Sequence, residues 1–519
     1  MSPVAKCMLV ATAMALGVGS ASASTSASKH PDTATYDRLV DAVVARYDLP
    51  GIVVGVIDHG KVVYKRAIGK LPSGQPINAD SLFEIGSNTK AMTVTLLARL
   101  VQQGKVQWDA PVTDYLPNFR MYDPWVTKNM EVGDLLAHHS GLPLGGGDLM
   151  LWPTPNHFTP EDVVHGLRYI KPAYSFRSGY AYDNTLYIVA GQVAATVGGA
   201  PYGKLLRREV FEPLGMKRCR IGTWSRSKVG NVARPHVMRN GKSILLPTHG
   251  DIVHPATMDA AGGVRCSLNA MLKWVKNWLM PTPDQLAWLS PELRRSEWQI
   301  YTPMPISERR HEWDGTLFLG NGHGWRISDV DGQMTVWHTG TLAGMYSSVM
   351  LLPFQDSGFV FMINTNAPDA RTVLTEVLTK QFTAPDKART VASYADELAR
   401  AAAARPESHA PDTSARHSVS PAEMQAKLGV WRDPWFGKVR ICPHDGKVRF
   451  ASKMSPMLTG EVMRLGKRYM VHWAHGDADA WLKFPAGDDG ILRMHKIDPN
   501  ADFSYDYDDL HFTRLHGCQ

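Results

Sequence analysis

The sequence predicts a mixed α+β fold, an α-β sandwich in which helices flank an antiparallel sheet and form a helical subdomain, followed by a small all-β domain. Strand-like patterns open and close residues 30–385, and helical patterns fill the middle. Short strand-like runs separated by turn residues fill residues 421–519. At 519 residues, the chain is also too long for one ordinary core, so we expect two domains.

The first strands are predicted within residues 51–70. Two β-branched runs flank Asp58-His59-Gly60, a pattern that indicates a β-hairpin. Over residues 87–103 the pattern changes, because apolar residues recur at helical spacing and Gly104 follows as a stop signal. This stretch therefore predicts an amphipathic helix.

The remainder of the first domain returns from helices to strands. Residues 132–215 are predicted to be mostly helical, with Gly- and Pro-rich loops. Strand patterns return near residues 334–340, 345–353 and 358–364, and a helical pattern near residues 370–382 completes the domain. Such an arrangement is typical of an antiparallel sheet that carries helices.

The C-terminal part has a different composition. Residues 386–420 are Ala-rich and then rich in Pro, Ser, His and Asp, which indicates a linker. The strand-like runs after it predict a barrel or a sandwich. The expected organisation is a leader at 1–23, a main domain at 30–385, the linker, and a β-domain at 421–519.

The N-terminus is typical of an export signal. Lys6 precedes a short Ala-rich apolar stretch, and Ala21-Ser22-Ala23 follows as a small-residue cleavage site. The apolar stretch is too short for a comfortable membrane span. We therefore expect a cleaved signal peptide and a periplasmic or secreted protein.

Removing this leader leaves four cysteines. An exported chain can form disulfides, but wide spacing leaves the pairing open. None of the spacings resembles a zinc site. The four residues are Cys219, Cys266, Cys442 and Cys518.

The charge balance does not indicate a nucleic-acid partner. The formal net charge is +7, from 56 Lys and Arg against 49 Asp and Glu. The basic residues are scattered, and pairs such as Arg207-Arg208 are isolated, which indicates a solvated basic surface. We expect a small-molecule ester, peptide or cell-wall-derived substrate and no stable membrane span. The oligomeric state stays open.

The first candidate for chemistry is Ser87-Asn88-Thr89-Lys90, at the start of the predicted helix. A serine hydroxyl is a poor nucleophile at neutral pH and needs a nearby base. Residues three apart share a helix face, which places Lys90 beside Ser87. A lysine can be that base if desolvation or positive charge lowers its pKa. Free N–H groups at the helix N-terminus could also stabilise an oxyanion.

The four-residue pattern alone is not specific. It occurs twice more, at Ser26 to Lys29 near the N-terminus and at Ser225 to Lys228 in a polar stretch. Only Ser87 combines a preceding glycine with a following amphipathic helix. The context therefore selects Ser87 as the candidate nucleophile.

Two further motifs carry reactive side chains. In Tyr182-Asp183-Asn184, residues two apart point the same way if the segment is extended, so a phenol and an amide could enter one pocket. A helix-capping Asn beside a core Tyr is the structural alternative. His338-Thr339-Gly340 ends a strand-like run, where a following backbone N–H could complete an oxyanion hole.

In this order, Ser87-x-x-Lys90, Tyr182-x-Asn184 and His338-Thr339-Gly340 resemble the motifs of class C β-lactamases and their relatives. These relatives are D-peptidases and esterases of the penicillin-binding-protein superfamily. The resemblance covers residues 35–383, and the β-rich tail resembles an accessory domain of some members. The supporting stretches are residues 135–143, 211–219, 261–274 and 322–327.

The resemblance implies a β-lactamase/transpeptidase-like fold and an acyl-enzyme formed on Ser87. Lys90 and Tyr182 would share the proton shuttle, and Asn184 would help to orient Lys90 and the substrate. The reaction would need no metal or other cofactor.

The resemblance also implies how the substrate is held. The backbone N–H groups of Ser87 and Thr341 would form the oxyanion hole. His338, Gly340 and Thr341 would line the site together with Asn184.

Two departures from the family pattern argue against efficient β-lactam hydrolysis. His338 replaces a lysine that helps to bind a carboxylate, and a neutral imidazole attracts an anion less. Gly145 follows Leu144 where lactamases of this class carry a glutamine soon after the same motif. We therefore predict a serine hydrolase acting on an ester or a D-amino-acid-containing amide. β-Lactam hydrolysis and non-catalytic binding of peptidoglycan or a partner remain the alternatives.

Overall fold

The computed structural model describes residues 32–239, 242–248, 250–404, 410–475, 478–485 and 490–518. The predicted signal peptide, 1–23, lies outside these ranges. Within them, no helix is both long enough and apolar enough to cross a bilayer.

The helices of the described residues lie almost entirely in the first domain. Their bounds are α1 (Thr33–Tyr47), α2 (Thr89–Gln102), α3 (Val112–Tyr115), α4 (Pro124–Asn129), α5 (Pro160–Gly166), α6 (Thr185–Gly198), α7 (Tyr202–Leu206), α8 (Arg226–Val229), α9 (Asp259–Gly262), α10 (Leu268–Leu279), α11 (Pro283–Trp288), α12 (Pro291–Glu297), α13 (Glu308–Asp314), α14 (Pro368–Thr383) and α15 (Val391–Ala404).

An antiparallel sheet of eight strands forms the centre of this domain. The order across the sheet is β10-β11-β12-β13-β14-β15-β1-β2. The strands are β1 (Gly51–Asp58), β2 (Lys61–Gly69), β10 (Thr302–Pro303), β11 (Leu319–Asn321), β12 (Arg326–Val330), β13 (Gln333–Leu342), β14 (Met345–Leu352) and β15 (Ser357–Ile363).

Small sheets of two or three strands lie outside the main sheet. They are β3 (Phe83–Glu84), β4 (Cys219–Arg220) and β9 (Arg265–Cys266) in one group, β5 (Trp224–Ser225) with β8 (Ile252–Val253), and β6 (His236–Arg239) with β7 (Lys242–Leu245).

The sheet is covered on both faces, and strand β1 shows why. All of its residues are buried, and Val53 and Ile57 join one apolar core whereas Ile52, Val54 and Val56 join another. Side chains alternate between the faces of a strand, so β1 needs apolar partners on both sides. Helices α1, α14 and α15 pack together on one side, and α10 packs on the other. The predicted α+β fold is therefore confirmed.

The segment predicted as a linker, residues 386–420, contains the helix α15. Its buried residues Val391, Tyr394 and Leu398 pack with the core that also holds Val40 of α1. The Ala-rich sequence here forms an amphipathic helix that packs against α1 and α14, because its apolar residues recur three to four positions apart.

The C-terminal domain is a closed eight-stranded antiparallel barrel, which decides between the two predicted architectures. Strand β20 pairs with both β19 and β21, so the sheet closes on itself. The strands are β16 (His417–Ser418), at the edge, and β17 (Gly429–Asp433), β18 (Gly437–His444), β19 (Lys447–Ser452), β20 (Thr459–Leu465), β21 (Arg468–Trp473), β22 (Ala480–Lys483), β23 (Ile491–Lys496) and β24 (His511–His516).

Each domain contains one disulfide. Cys219 of β4 is bonded to Cys266 of β9, and Cys442 of β18 is bonded to Cys518 after β24. The strand pairing brings the first two cysteines directly opposite each other. Sequence spacing could not give this pairing, because it depends on strands 47 residues apart.

The barrel packs directly on the helical part of the first domain. The Phe158 and Phe436 rings lie 5.8 Å apart, and the backbone N–H of His157 donates to the carbonyl of Met454 at 2.7 Å. One apolar cluster contains buried residues of both domains, such as Val163 and Val439. The barrel is thus held against the surface that carries the site.

Candidate active site

Ser87 lies in a tight turn, Gly86–Asn88, between strand β3 and helix α2. Gly86 adopts a left-handed conformation with φ of 52°, which a glycine reaches without strain. A Cβ on Gly86 would lie 2.7 Å from the backbone nitrogen of Thr341, so strand β13 passes very close to this turn. Ser87 is therefore held at the end of β13 and at the start of α2.

Lys90 lies in the first turn of α2 and is completely buried. Its Nζ is 3.2 Å from Ser87 Oγ, 2.7 Å from Asn184 Oδ1 and 3.0 Å from the carbonyl of Ala261. The spacing of three residues on a helix brings the amine to the serine hydroxyl, as the sequence pattern predicts.

Burial lowers the pKa of Lys90 from 10.5 to about 7. The charges of Asp148 and Asp183 oppose this shift, and the Arg326 guanidinium adds to it. A neutral amine can accept a proton, so a pKa near 7 makes Lys90 a usable base at physiological pH.

Asn184 connects Lys90 to a buried carboxyl group. Its Oδ1 accepts from Lys90, and its Nδ2 donates to Asp148 Oδ2 at 2.9 Å. Among the described residues, this side chain bonds to these two groups and not to the N–H groups of α6, although Asn184 precedes that helix. The helix-capping alternative therefore does not describe its side chain.

Tyr182 lies between Lys90 and two imidazoles. Lys90 Nζ is 4.8 Å from the centre of the Tyr182 ring, and the His138 and His338 rings lie 4.4 Å and 6.4 Å from it. Burial raises the pKa of Tyr182, although the Ser87 hydroxyl and Arg326 oppose the rise. The phenol is therefore protonated at neutral pH and can donate a proton.

His338 lies on β13 beside Tyr182, and burial holds its pKa well below the usual value. Its Nδ1 lies 2.7 Å from the carbonyl of Thr339, so the proton of the neutral ring is on Nδ1. Gly340 packs so tightly that a Cβ would lie 1.9 Å from the carbonyl of Ile85. Only glycine fits there, and the next residue, Thr341, is exposed.

The structure thus brings together five side chains of the three sequence motifs, those of Ser87, Lys90, Tyr182, Asn184 and His338. The family model named Beta-lactamase matches residues 36–383. The chain belongs to the Beta-lactamase family. The match confirms the resemblance that the motifs indicated. The matched residues, 36–383, include every residue of the site described so far.

Several curated relatives of this Beta-lactamase-family protein are hydrolases. It is 26% identical over 351 residues to an unguisins hydrolase of Aspergillus campestris, covering 65% of this chain and 62% of the relative. It is 27% identical to a β-lactamase of Pseudomonas fluorescens, covering 65% and 94% of the two chains. It is 31% identical to Esterase EstB of Burkholderia gladioli, covering 42% and 61%.

The fold is similar to that of a solved relative. The octameric penicillin-binding protein homologue from Pyrococcus abyssi superposes with a TM-score of 0.59 at 18% identity, covering 93% of this chain and 100% of that one. This likeness supports the fold alone. The chain spans 62% and 46% of the lengths of two Aspergillus unguisins hydrolases.

Two buried carboxyl groups of the site were not predicted from the sequence. Asp148 and Asp183 are fully buried, and burial raises the pKa of each to about 7. Asp183 lies inside the Tyr182-x-Asn184 motif, which is the signal that could have found it. Asp148 follows three glycines in a loop, and its sequence alone gives no sign of burial.

The described residues contain no group of three or more His, Cys, Asp and Glu side chains that could hold a metal ion. The segment His472-Trp473-Ala474-His475 has two closely spaced histidines, and the Nδ1 of His472 is 2.8 Å from Asp479 Oδ2.

The first prediction concerns the pH dependence of this site. If neutral Lys90 takes the Ser87 proton, kcat/KM rises as the pH increases through about 7, because Lys90 loses its proton there and not near 10.5. Hydrolysis of p-nitrophenyl butyrate between about pH 5 and about pH 9 would measure this midpoint. A midpoint above pH 9, or a flat profile, would contradict the assignment of Lys90 as the base.

Proposed function

We propose that this chain is a serine hydrolase that forms an acyl-enzyme on Ser87 with an ester or a D-amino-acid-containing amide. The observation that carries the proposal is the 3.2 Å contact between Ser87 Oγ and the buried Lys90 Nζ, whose pKa is lowered to about 7. The hydrolases among its relatives support the same class of reaction.

The geometry supports a two-step mechanism. Neutral Lys90 accepts the Ser87 proton while Oγ attacks the substrate carbonyl. The backbone N–H groups of Ser87 and Thr341 stabilise the resulting oxyanion. The Tyr182 hydroxyl donates a proton to the leaving group and recovers one from Lys90. A water molecule then attacks the acyl carbonyl and gives a proton to Lys90, and this proton returns to Ser87 Oγ as the bond between Oγ and the acyl carbon breaks and the acid product leaves.

The environment of His338 supports a neutral acyl group as the preferred substrate. The ring is buried and uncharged, so it offers no cation to a substrate carboxylate. Esters and blocked amides do not need such a partner.

β-Lactam hydrolysis is the second candidate, and one observation favours it. The Arg326 guanidinium lies 5.8 Å from the centre of the Tyr182 ring, so a cation that could attract a carboxylate is near the site. The same guanidinium is 5.1 Å from the Trp337 ring, and this stacking holds it against strand β13. The structural role of Arg326 makes β-lactam hydrolysis the weaker proposal.

We also propose that the mature protein acts outside the cytoplasm, as the leader pattern at 1–23 suggests. The two disulfides support this location, because such bonds persist in oxidising compartments.

A fluorophosphonate probe tests the proposal directly. We expect labelling of the wild-type protein and location of the adduct on Ser87 by peptide mass spectrometry, because the probe reacts with activated serines. Matched rates for p-nitrophenyl butyrate, a D-alanyl amide and a β-lactam would then rank the substrate classes. A protein that is never labelled and hydrolyses none of them would favour the non-catalytic binding role.

A further inference from the structure

The loop between β23 and β24 of the barrel reaches the turn that carries Asp148. The Asp506 carboxyl accepts from the backbone N–H groups of Gly147 at 2.6 Å and of Leu149 at 3.3 Å. These two residues flank Asp148, and Asp506 is itself buried. The C-terminal domain thus holds both sides of a turn that belongs to the first domain.

Ser504 of the same loop touches Asp148 itself. Its Oγ donates at 2.7 Å to Asp148 Oδ2, the oxygen that also accepts from Asn184. The other oxygen, Oδ1, has no partner in the part of the chain that the structure describes. A continuous chain of hydrogen bonds therefore runs from Ser504 through Asp148 and Asn184 to Lys90.

Phe503 of the same loop lies beside Tyr182 and Gly145. Its ring meets the Tyr182 ring edge-on, with 6.1 Å between the centres. A Cβ on Gly145 would lie 2.7 Å from its ring and 2.9 Å from its backbone carbonyl. The small residue at 145, which has φ of 75°, leaves room for the barrel loop beside Tyr182.

We propose that residues 503–506 of the C-terminal barrel are part of the active site, with Ser504 positioning the Asp148–Asn184–Lys90 chain and Phe503 forming a wall of the acyl pocket. This inference rests on the proposed function of Ser87 and Lys90. It is independent of which ester or amide is the natural substrate. Ser504 is a positioning residue, because it acts on the reacting groups only through Asp148 and Asn184.

Removing the Ser504 hydroxyl tests this role. In the full-length protein, we expect Ser504→Ala to lower the rate of fluorophosphonate labelling and the kcat for p-nitrophenyl butyrate about tenfold, because a small displacement of a reacting group is costly. KM should change less than about twofold if Ser504 acts only through its hydrogen bond to Asp148. Ser504→Thr keeps a hydroxyl and should retain most of the wild-type kcat.

Ser418→Ala is the matched control. Ser418 lies in the same domain, and its hydroxyl also donates to a carboxylate, that of Glu461. We expect wild-type kcat from this variant. Wild-type kcat in Ser504→Ala as well would overturn the positioning role, and so would equal losses in Ser504→Ala and Ser504→Thr. If the wild-type protein is not labelled at all, the proposed function itself has failed.

Phe503→Ala tests the wall. Truncating the ring enlarges the pocket beside Tyr182, so kcat/KM for p-nitrophenyl octanoate relative to the butyrate should rise about tenfold. The melting temperature, measured in parallel, shows whether the variant is folded. An unchanged ratio in a folded variant would overturn the assignment of Phe503 to the acyl pocket.

Discussion

Ser87→Ala is expected to lower kcat for p-nitrophenyl butyrate about a thousandfold or more, because no other group at this position can form the acyl-enzyme. The substitution removes only Oγ, which lies 3.2 Å from Lys90 Nζ. Ser87 is in a turn that Gly86 and strand β13 hold in place, so we expect the fold and the melting temperature to be retained. Measuring kcat and thermal unfolding on the same preparation separates the loss of chemistry from the loss of structure.

The chain provides a matched control for this experiment in Ser225, which also precedes a lysine by three residues. Here the hydroxyl caps helix α8, because Ser225 Oγ accepts from the backbone N–H of Lys228 and donates to Asp251. Ser225→Ala should therefore cost about 1 kcal/mol of stability and leave kcat unchanged. Equal activity of Ser87→Ala and wild type would show that the nucleophile lies elsewhere.

The comparison of these two serines shows what a short motif can predict. The residues of both patterns are identical at the first and fourth positions, and both lie at the start of a helix. The preceding glycine and the long apolar helix distinguish Ser87, because they predict a tight turn and a buried face for Lys90. The sequence could therefore select Ser87 as the candidate nucleophile and place Lys90 beside it.

The remaining part of the site depends on contacts between distant segments. Asp148 is 36 residues from Asn184 and 356 residues from Ser504, and no local pattern links them. Local reasoning could place Ser504 in a loop of the β-domain, but not against a turn of the other domain. Hydrogen bonds across a domain boundary have no sequence period, so only the folded structure shows them.

The elements of the fold also divide into those with a local sequence pattern and those that depend on distant contacts. Strands β13, β14 and β15 and helix α14 have strong local periodicity, and all four were predicted close to their observed positions. Helix α15 was not predicted, because its Ala-rich sequence precedes polar residues and the whole segment was interpreted as a linker. Closure of the barrel depends on pairing between β20 and β21, which only the structure shows.

Lys90→Met is expected to abolish activity and to change the pH dependence of stability. Loss of the base should lower kcat about a thousandfold. In the wild type, the Lys90 charge lowers the pKa of Asp148 and of Asp183, which burial raises to about 7. Without that charge, both pKa values should rise further.

The sign of the stability change follows from proton binding. A carboxyl group whose pKa is higher in the folded than in the unfolded chain makes the folded protein less stable as the pH rises toward the pKa of the folded state. The loss of Lys90 itself changes stability in the same direction. The lowered pKa of Lys90 lets the wild type gain stability from about pH 7 upward, and the variant lacks this gain. The melting temperature of Lys90→Met relative to wild type should therefore fall between about pH 6 and about pH 9.

Lys380→Met is the control, because Lys380 is also buried but lies on α14, away from Ser87. Its Nζ donates to the carbonyl of Trp313 at 2.6 Å and to Asp331 at 2.7 Å. We expect this variant to lose stability and to keep wild-type kcat per folded molecule. If Lys90→Met kept kcat within about tenfold of wild type, the proton would have another acceptor. If only the pH-dependent change were missing, Lys90 would still be the base, but its charge would not control Asp148 and Asp183.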